Sequence, residues 1–115
     1  MHKNIFGISV KYEEWEHQNY LPVYIMDSYD VYQASIGNTR CIILKPLEEL
    51  VTLPALTKQI KKIQTIDNVP VVLEFETVTS YRKKSLIKNN IPFITNKQLY
   101  LPFIGAMLMD EEEIG

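Results

Sequence analysis

The stretch that decides the fold runs from Asn68 to Phe103 and reads NVPVVLEFETVTSYRKKSLIKNNIPFITNKQLYLPF. Its first apolar run, residues 69–75, is bounded by polar residues and predicts a buried strand. Residues 79–89 predict a helix, with hydroxyl side chains to cap its start and an Asn pair to end it. Residues 91–95 predict a second strand. A strand, a helix and another strand form a βαβ crossover, so these two strands are predicted to be parallel.

Regular patterns extend on both sides of this unit. Residues 30–36 alternate between two faces, and residues 39–45 are rich in β-formers. A Gly-Asn pair between them is a turn signal, so the sequence predicts a hairpin. The clearest helix is Leu53–Ile66, where aliphatic side chains cluster on one side and lysines lie opposite. Residues 98–101 predict a further strand.

The first thirty residues carry weaker patterns. Residues 5–10 are apolar but interrupted by a glycine, which predicts a short strand or an extended arm. Residues 12–18 place three glutamates around Trp15 and favour a short helix. We expect Trp15 to anchor this segment on the core, the alternative being a dimer or ligand contact. Residues 21–26 predict a strand that tolerates a proline near its start.

Taken together, these elements predict an α/β fold. Its mixed β-sheet has a hairpin followed by αβαβ units, in restriction-endonuclease-like or Rossmann-like layers. A chain of 115 residues is long enough to bury a core without staples, so we expect residues 1–109 to form a single domain. The acidic residues 110–115 are expected to be a linker or a truncated tail.

Composition narrows the class of protein. With a net charge of −2, the protein surface as a whole cannot bind polyanions strongly. The composition is that of a soluble globular domain. No apolar run reaches the roughly 18 residues of a membrane span, and the N-terminus lacks the hydrophobic region of a signal peptide. We therefore expect a cytoplasmic protein with no membrane partner.

Residues that carry metal or nucleophilic chemistry are few. Cys41 is the single cysteine, which excludes an internal disulfide and a cysteine-based metal cluster. Because Cys41 lies within a predicted strand, we expect it to be a small buried side chain. His2 and His17 lack the spacing of a zinc site. The glycines are scattered and form no phosphate-binding loop, and no cofactor is predicted.

Four carboxylates are the candidates for a ligand or metal site. Glu74 and Glu76 lie on one face of the predicted central strand, near the end where open α/β sheets place ligands. Asp27 and Asp30 flank the junction of two predicted strands. The alternative is that these groups are solvated or salt-bridged charges at strand ends.

The order of elements also resembles restriction-endonuclease-like folds. Those enzymes hold a divalent metal ion with an acidic residue and a Glu-x-Lys pair on adjacent strands. Here the strand that ends in Lys45 has Ile43 in place of that glutamate. An aliphatic side chain cannot bind a metal ion, so no catalytic residue is predicted and the chain is expected not to be an enzyme.

A partner surface is predicted near the second helix and after it. Ile87 is expected to project among lysines, and residues 98–109 are more apolar than one edge strand needs, so they cover the core or contact another chain. The candidate interface residues are Ile87, Gln98, Tyr100 and Phe103, and the expected assembly is a homodimer. Lysines on both predicted helices form a modest cationic patch or serve only solubility, and solubility is favoured.

Three motifs carry a resemblance to a known family: SYRKKSLI at residues 80–87, IPFI at 91–94 and KQLYLPF at 97–103. With them the sequence resembles the N-terminal region of bacterial MarR-like winged-helix transcriptional regulators, over roughly residues 20–108. The resemblance implies a non-enzymatic regulatory domain for dimerisation or effector sensing. It implies DNA binding only through a C-terminal domain, because this chain ends before a winged helix begins.

Two alternatives to this function remain open. The first is an inactive or divergent nuclease-like domain, and the second is a partner-binding module of a toxin–antitoxin or defence system.

Overall fold

The computed structural model of this chain describes residues 2–109, which form a mixed β-sheet with helices packed against it. The strands are β1 (His2–Ile5), β2 (Ile8–Glu13), β3 (Tyr29–Ile36), β4 (Thr39–Pro46), β5 (Val71–Glu74), β6 (Phe93–Ile94), β7 (Leu99–Leu101) and β8 (Ala106–Leu108). The α-helices are α1 (Val23–Met26), α2 (Leu53–Ile66) and α3 (Ser80–Lys88). The linker or tail predicted at residues 110–115 lies outside the described residues.

The strands follow one another across the sheet in chain order, from β1 to β8. The pairs β4–β5 and β5–β6 are parallel, and the other neighbouring pairs are antiparallel. Each parallel pair is joined through a helix, α2 for the first and α3 for the second. The prediction of a mixed α/β sheet with a hairpin followed by αβαβ units is therefore confirmed.

The predicted hairpin is the long pair β3–β4. Ile36 lies opposite Thr39, which leaves a two-residue Gly-Asn turn whose glycine has a φ of 62°. In the same register Asp30 lies opposite Lys45 at the open end of the hairpin. Because side chains alternate between the faces of a strand, this register decides which residues of β3 and β4 share a surface.

The central βαβ unit also forms as predicted, although β5 is shorter than residues 69–75. The Thr79 hydroxyl accepts a hydrogen bond from the Arg82 backbone N–H at 3.1 Å and caps α3. After α3, Asn90 adopts a left-handed φ of 56°, which ends the helix as the sequence indicates. The helix predicted over Leu53–Ile66 has the same bounds in the structure.

Residues 5–10 belong to two strands of a tight hairpin. Ile5 lies opposite Ile8, so Phe6 and Gly7 form a two-residue turn between β1 and β2. Both turn residues have positive φ, 51° and 83°, as a type I′ turn requires. The single strand or arm predicted there misses this reversal of the chain.

The helix predicted over residues 12–18 is wrong, because β2 continues through Glu13. Val10 and Tyr12 are buried, and the residues between and after them are exposed. This period of two places both buried side chains on one face of the sheet, which a helix would not do. The prediction that Trp15 anchors its segment is confirmed, because its side chain is only 1% exposed.

The strand predicted over residues 21–26 is wrong as well, and the one-turn helix α1 forms there. Leu21 and Ile25 are buried, whereas Val23 between them is 70% exposed. Burial at positions four residues apart follows the helical period. Pro22 supplies a φ of −60° immediately before the helix, a value that is compatible with a helix start.

The sheet buries apolar side chains on both faces. One set, the helix-side core, contains Trp15, Leu21, Ile25, Tyr29, Val31, Ile42, Leu44, Leu56, Ile63, Val71, Leu73, Leu86, Ile91, Phe93 and Tyr100. The other set, the inner-face core, contains Ile5, Val10, Tyr12, Ala34, Ile36, Cys41, Ile43, Val72, Ile94, Leu99 and Leu101. Cys41 is buried as predicted.

The sheet curls toward the inner face, so that its first strands approach its later ones. Ile5 of β1 shares the inner-face core with Ile94 of β6 and Leu101 of β7, although several strands separate them in the sheet. The curl brings the β1–β2 hairpin over the carboxyl end of β5 and encloses the space that forms the candidate site.

Candidate functional site: a cleft at the carboxyl ends of β4 and β5

A cleft of about 540 Å³ opens at one end of the inner face. Side chains from five consecutive strands line it. We call six of them the cleft residues: Lys3 of β1, Tyr12 of β2, Asp30 and Tyr32 of β3, Lys45 of β4 and Glu74 of β5. The cleft lies where β4 and β5 end, which is the side where parallel strands commonly place ligands.

Glu74 holds the curled sheet together at the base of the cleft. Its buried carboxylate accepts a hydrogen bond from the Tyr12 hydroxyl at 2.7 Å and lies 3.1 Å from the Lys3 ammonium. Burial and the bond to Glu74 raise the pKa of Tyr12, so its hydroxyl stays protonated and donates at neutral pH. The carboxylate of Glu74 is therefore committed to joining β1 and β2 to β5.

Two phenol rings form an aromatic wall. The rings of Tyr12 and Tyr32 meet edge to face, with their centroids 6.1 Å apart and their planes at 74°. The Lys45 ammonium lies 6.0 Å from the centroid of the Tyr32 ring, within the range of a cation–π contact. Part of the cleft surface is therefore apolar and aromatic, beside a cationic group.

Asp30 of β3 and Lys45 of β4 lie directly opposite each other in the hairpin, but their side chains form no ion pair with each other. We call them the opposed pair. Cβ atoms of directly opposed residues in an antiparallel pair lie about 4.5–5.5 Å apart, a gap that these two side chains can bridge. Among the residues that the structure describes, neither side chain forms a salt bridge. Asp30 is exposed and Lys45 is half-buried. The cleft thus offers a carboxylate and an ammonium that are both open to a ligand.

The structure brings together two of the four predicted carboxylates. Asp30 and Glu74 line the same cleft, whereas Asp27 and Glu76 are exposed outside it. Glu76 lies beyond the strand because β6 pairs with β5 only as far as Glu74. Within residues 2–109 no group of three or more His, Cys, Asp or Glu side chains is arranged to hold a metal ion.

The four predicted interface residues lie in different surroundings. Tyr100 is buried in the helix-side core and donates a hydrogen bond to the side chain of Asn90 at 2.9 Å. Ile87, expected to project outward, is half-buried against the same core. Phe103 packs against the inner-face core and lines a surface groove of about 380 Å³, and Gln98 is half-buried.

Lys3, Tyr12, Tyr32 and Lys45 were not among the residues that the sequence indicated as a site. For two of them a signal existed, because the Gly-Asn turn fixes the hairpin register and thereby places Lys45 opposite Asp30 and Tyr32 two positions along. For Lys3 and Tyr12 no local signal exists, since they reach the cleft only through the curl of the whole sheet.

A second pair of opposite charges, Arg40 and Asp67 near the turn of the β3–β4 hairpin, does form an ion pair. The Arg40 guanidinium donates two hydrogen bonds of 2.7 Å to the Asp67 carboxylate, which also accepts one from the Trp15 indole N–H at 3.0 Å. The hydrogen bonds from Arg40, and then that from Trp15, lower the pKa of Asp67 against the opposing effect of burial. This cluster joins the segment after β2 to the end of α2, so its charges serve the fold.

Comparison with models of protein families, with curated proteins and with solved structures found no match to this chain. None of the helices in the described part of the chain is long and apolar enough to cross a membrane. The geometry of the cleft is therefore the basis for a functional proposal.

Proposed function

We propose that this chain is a non-catalytic sensing domain that binds a small polar molecule in the cleft. The observation that carries the proposal is the opposed pair Asp30 and Lys45, two unpaired charges of opposite sign beside the Tyr32 ring. A cleft of this volume is also within the range of small-molecule sites.

The regulatory setting is the part of the proposal that comes from sequence resemblance. A sensing domain of a MarR-like winged-helix regulator would bind an effector here and act on DNA through a separate domain. The expected cytoplasmic location belongs to this same proposal. We likewise propose that the sheet and helices are layered as in restriction-endonuclease-like or Rossmann-like folds.

A fragment screen by NMR tests the sensing function. Amide shifts of ¹⁵N-labelled protein are followed with a library of organic acids, amines and amino acids. We expect saturable shifts that concentrate on the cleft residues and need a higher ligand concentration in Lys45→Gln, but are unchanged in the matched control Lys62→Gln, whose side chain is exposed on α2. Shifts that are absent for every fragment, or that map to another surface, would contradict the proposal.

A nuclease-like function is the second candidate, supported by the meeting of Asp30, Lys45 and Glu74 in one cleft. It has weaker support because Ile43 is fully buried on the same face and Glu74 already binds Lys3 and Tyr12. Calorimetric titration with Mg²⁺ or Mn²⁺ separates the candidates. Saturable heat that is lost in Glu74→Gln, together with phosphodiester cleavage, would replace the sensing proposal.

We further propose a homodimer, formed through β8 rather than through one continuous patch of the four predicted residues. Within residues 2–109, β8 pairs on one side only, with β7, and its Met107 and Leu108 side chains are 57% and 42% exposed. Antiparallel pairing of β8 with its copy would extend the sheet about a two-fold axis.

Light scattering coupled to size exclusion tests the dimer. We expect a dimeric mass for the wild type and for Val23→Lys, which changes an exposed apolar side chain on α1 instead of on β8. We expect a monomeric mass for Met107→Lys, because two ammonium groups would meet near the axis. A monomeric wild type would contradict this part of the proposal and leave the sensing function untouched.

A further inference from the structure

We propose that the ligand of the cleft is a small zwitterion, an α-amino acid with an apolar side chain. Lys45 would bind its carboxylate, Asp30 its ammonium group, and the aromatic wall its side chain. This inference rests on the proposed sensing function of the cleft and names the chemical class of its effector.

The charges around the cleft disfavour a simple anion, and a simple cation would leave Lys45 without a partner. The lining contains four carboxylates, from Glu13, Glu14, Asp30 and Glu74, and the two ammonium groups of Lys3 and Lys45. Lys3 and Glu74 neutralise each other through their 3.1 Å contact, and Glu13 lies 3.7 Å from the ammonium of Lys11 outside the lining.

After these pairs are taken out, the open charges of the lining are Asp30, Glu14 and Lys45. A simple anion drawn to Lys45 would meet the repulsion of two carboxylates, whereas a simple cation drawn to Asp30 would be repelled by Lys45 alone and attracted by Glu14 as well, so the anion is the less favoured of the two. A ligand with both charges can place its ammonium group beside Asp30 and its carboxylate beside Lys45, so that both members of the opposed pair gain an oppositely charged partner.

The spacing of the opposed pair suits charges that are close together in the ligand. Asp30 and Lys45 are direct neighbours across two strands, so a ligand that lies between their head groups should carry its own charged groups close together. The ammonium and carboxylate of an α-amino acid are attached to the same carbon. Bound in this place, the four groups alternate in sign, and each ligand charge can also form a hydrogen bond.

The remaining surface of the cleft suits an apolar side chain. The rings of Tyr12 and Tyr32 meet edge to face, Lys45 lies beside the Tyr32 ring, and Met26 of α1 also lines the cleft. Aromatic rings and methionine adapt well to aliphatic and aromatic groups. A volume of about 540 Å³ leaves room for such a side chain together with ordered water.

A matched set of three probes tests the inference. L-phenylalanine carries both charges, 3-phenylpropionate lacks the ammonium group and 2-phenylethylamine lacks the carboxylate. Affinities for the full chain are measured by NMR titration at pH 7. We expect L-phenylalanine to bind at least about tenfold more tightly than either analogue, because each analogue leaves one charge of the opposed pair unsatisfied.

Two variants assign the groups. In Asp30→Asn we expect the preference for L-phenylalanine over 3-phenylpropionate to vanish while its preference over 2-phenylethylamine remains. In Lys45→Gln we expect the reverse pattern. Asp27→Asn and Lys62→Gln change exposed charges outside the cleft and should keep the affinities of the wild type. Melting temperatures close to the wild-type value show that each variant is folded.

The outcomes separate the two levels of the proposal. The zwitterion proposal is overturned, and the sensing function kept, if either analogue binds the cleft with the same affinity as L-phenylalanine. The same conclusion follows if both variants leave the preference for L-phenylalanine unchanged. Cleft binding of other fragments with no binding of any amino acid overturns it too. Absence of binding by the probes and by the whole fragment library overturns both. The expected exchange of preferences between Asp30→Asn and Lys45→Gln supports both.

Discussion

The β3–β4 hairpin contributes to two sets of opposite charges, one near its turn and one at its open end, and only the first forms an ion pair. Near the turn, Arg40 binds Asp67 in a bidentate contact that Trp15 completes. At the open end, Asp30 and Lys45 lie in direct register and stay apart. An exposed ion pair contributes only about 0–1 kcal/mol, so the second pair can remain open at little cost to stability. Proximity alone therefore does not make an ion pair structural; engagement by other groups does.

The largest expected effect of breaking the engaged cluster is that of Trp15→Ala. It removes a buried ring and the indole donor to Asp67, and we expect the free energy of unfolding to fall by about 3–5 kcal/mol. Denaturant unfolding measures this loss. Tyr20→Ala, an exposed aromatic residue of the same segment, should change it by less than about 0.5 kcal/mol. Similar losses in both variants would mean that the cluster does not anchor this segment.

Asp67→Asn sharpens the comparison through pH. The variant keeps an acceptor but loses the charge that Arg40 binds, so we expect a loss of about 1–2 kcal/mol at pH 7. Because folding lowers the pKa of Asp67, its charged form stabilises the fold above its ordinary pKa, and this contribution disappears as the pH falls through the lower folded-state value.

The difference between wild type and Asp67→Asn should thus be constant near neutral pH and shrink below about pH 4. Urea unfolding at several pH values gives this curve. Asp27→Asn, which changes an exposed carboxylate, is the control and should lie close to the wild type at pH 7. A difference that grows as the pH falls would contradict the assignment.

Mutation of the opposed pair, Asp30 and Lys45, should change the free energy of unfolding only slightly. Asp30→Asn and Lys45→Gln are each expected to change the free energy of unfolding by less than about 0.5 kcal/mol without ligand, because neither side chain has an ionic partner among the described residues. A double-mutant cycle should give a coupling near zero. A coupling above about 1 kcal/mol would place this pair with the structural one and break the comparison.

The smallest expected effect is the reaction of the Cys41 thiol with a reagent, because Cys41 lies on the part of the inner face that is closed to solvent. It lies on the same face of β4 as Lys45, four residues away, and its side chain is fully buried. Burial raises the pKa of its thiol to about 12, so little thiolate forms at neutral pH. We expect no reaction with a thiol reagent in the folded protein and complete reaction in denaturant. Rapid labelling of the folded chain would mean that the cleft extends into the inner-face core.

Long, regular patterns made much of the fold predictable. Leu53–Ile66 offers four turns of consistent helical spacing, and the hairpin combines alternation with a clear turn. The short apolar run at residues 21–26 fits either period, and only the burial of Leu21 and Ile25 decides for a helix. Local sequence contains no information on which side of a short run will meet the core.

The candidate site could be predicted only in part, for the same reason. Glu74 and Asp30 were indicated because each lies at the end of a predicted strand. Glu76 was indicated too, since alternation in the sequence continues beyond the point where β5 loses its neighbour. Lys3 and Tyr12 reach the cleft through long-range curvature, which depends on the twist of every strand between them and Glu74.

The contact between Lys3 and Glu74 joins residues that are 71 positions apart in the chain. Contacts between residues so far apart in sequence slow folding, because loop-closure entropy is lost before the contact is gained. A chain emerging from the ribosome therefore has no complete cleft until its first strand folds back over the fifth. Any binding in the cleft would then require the complete curled sheet, from its first strand to its fifth.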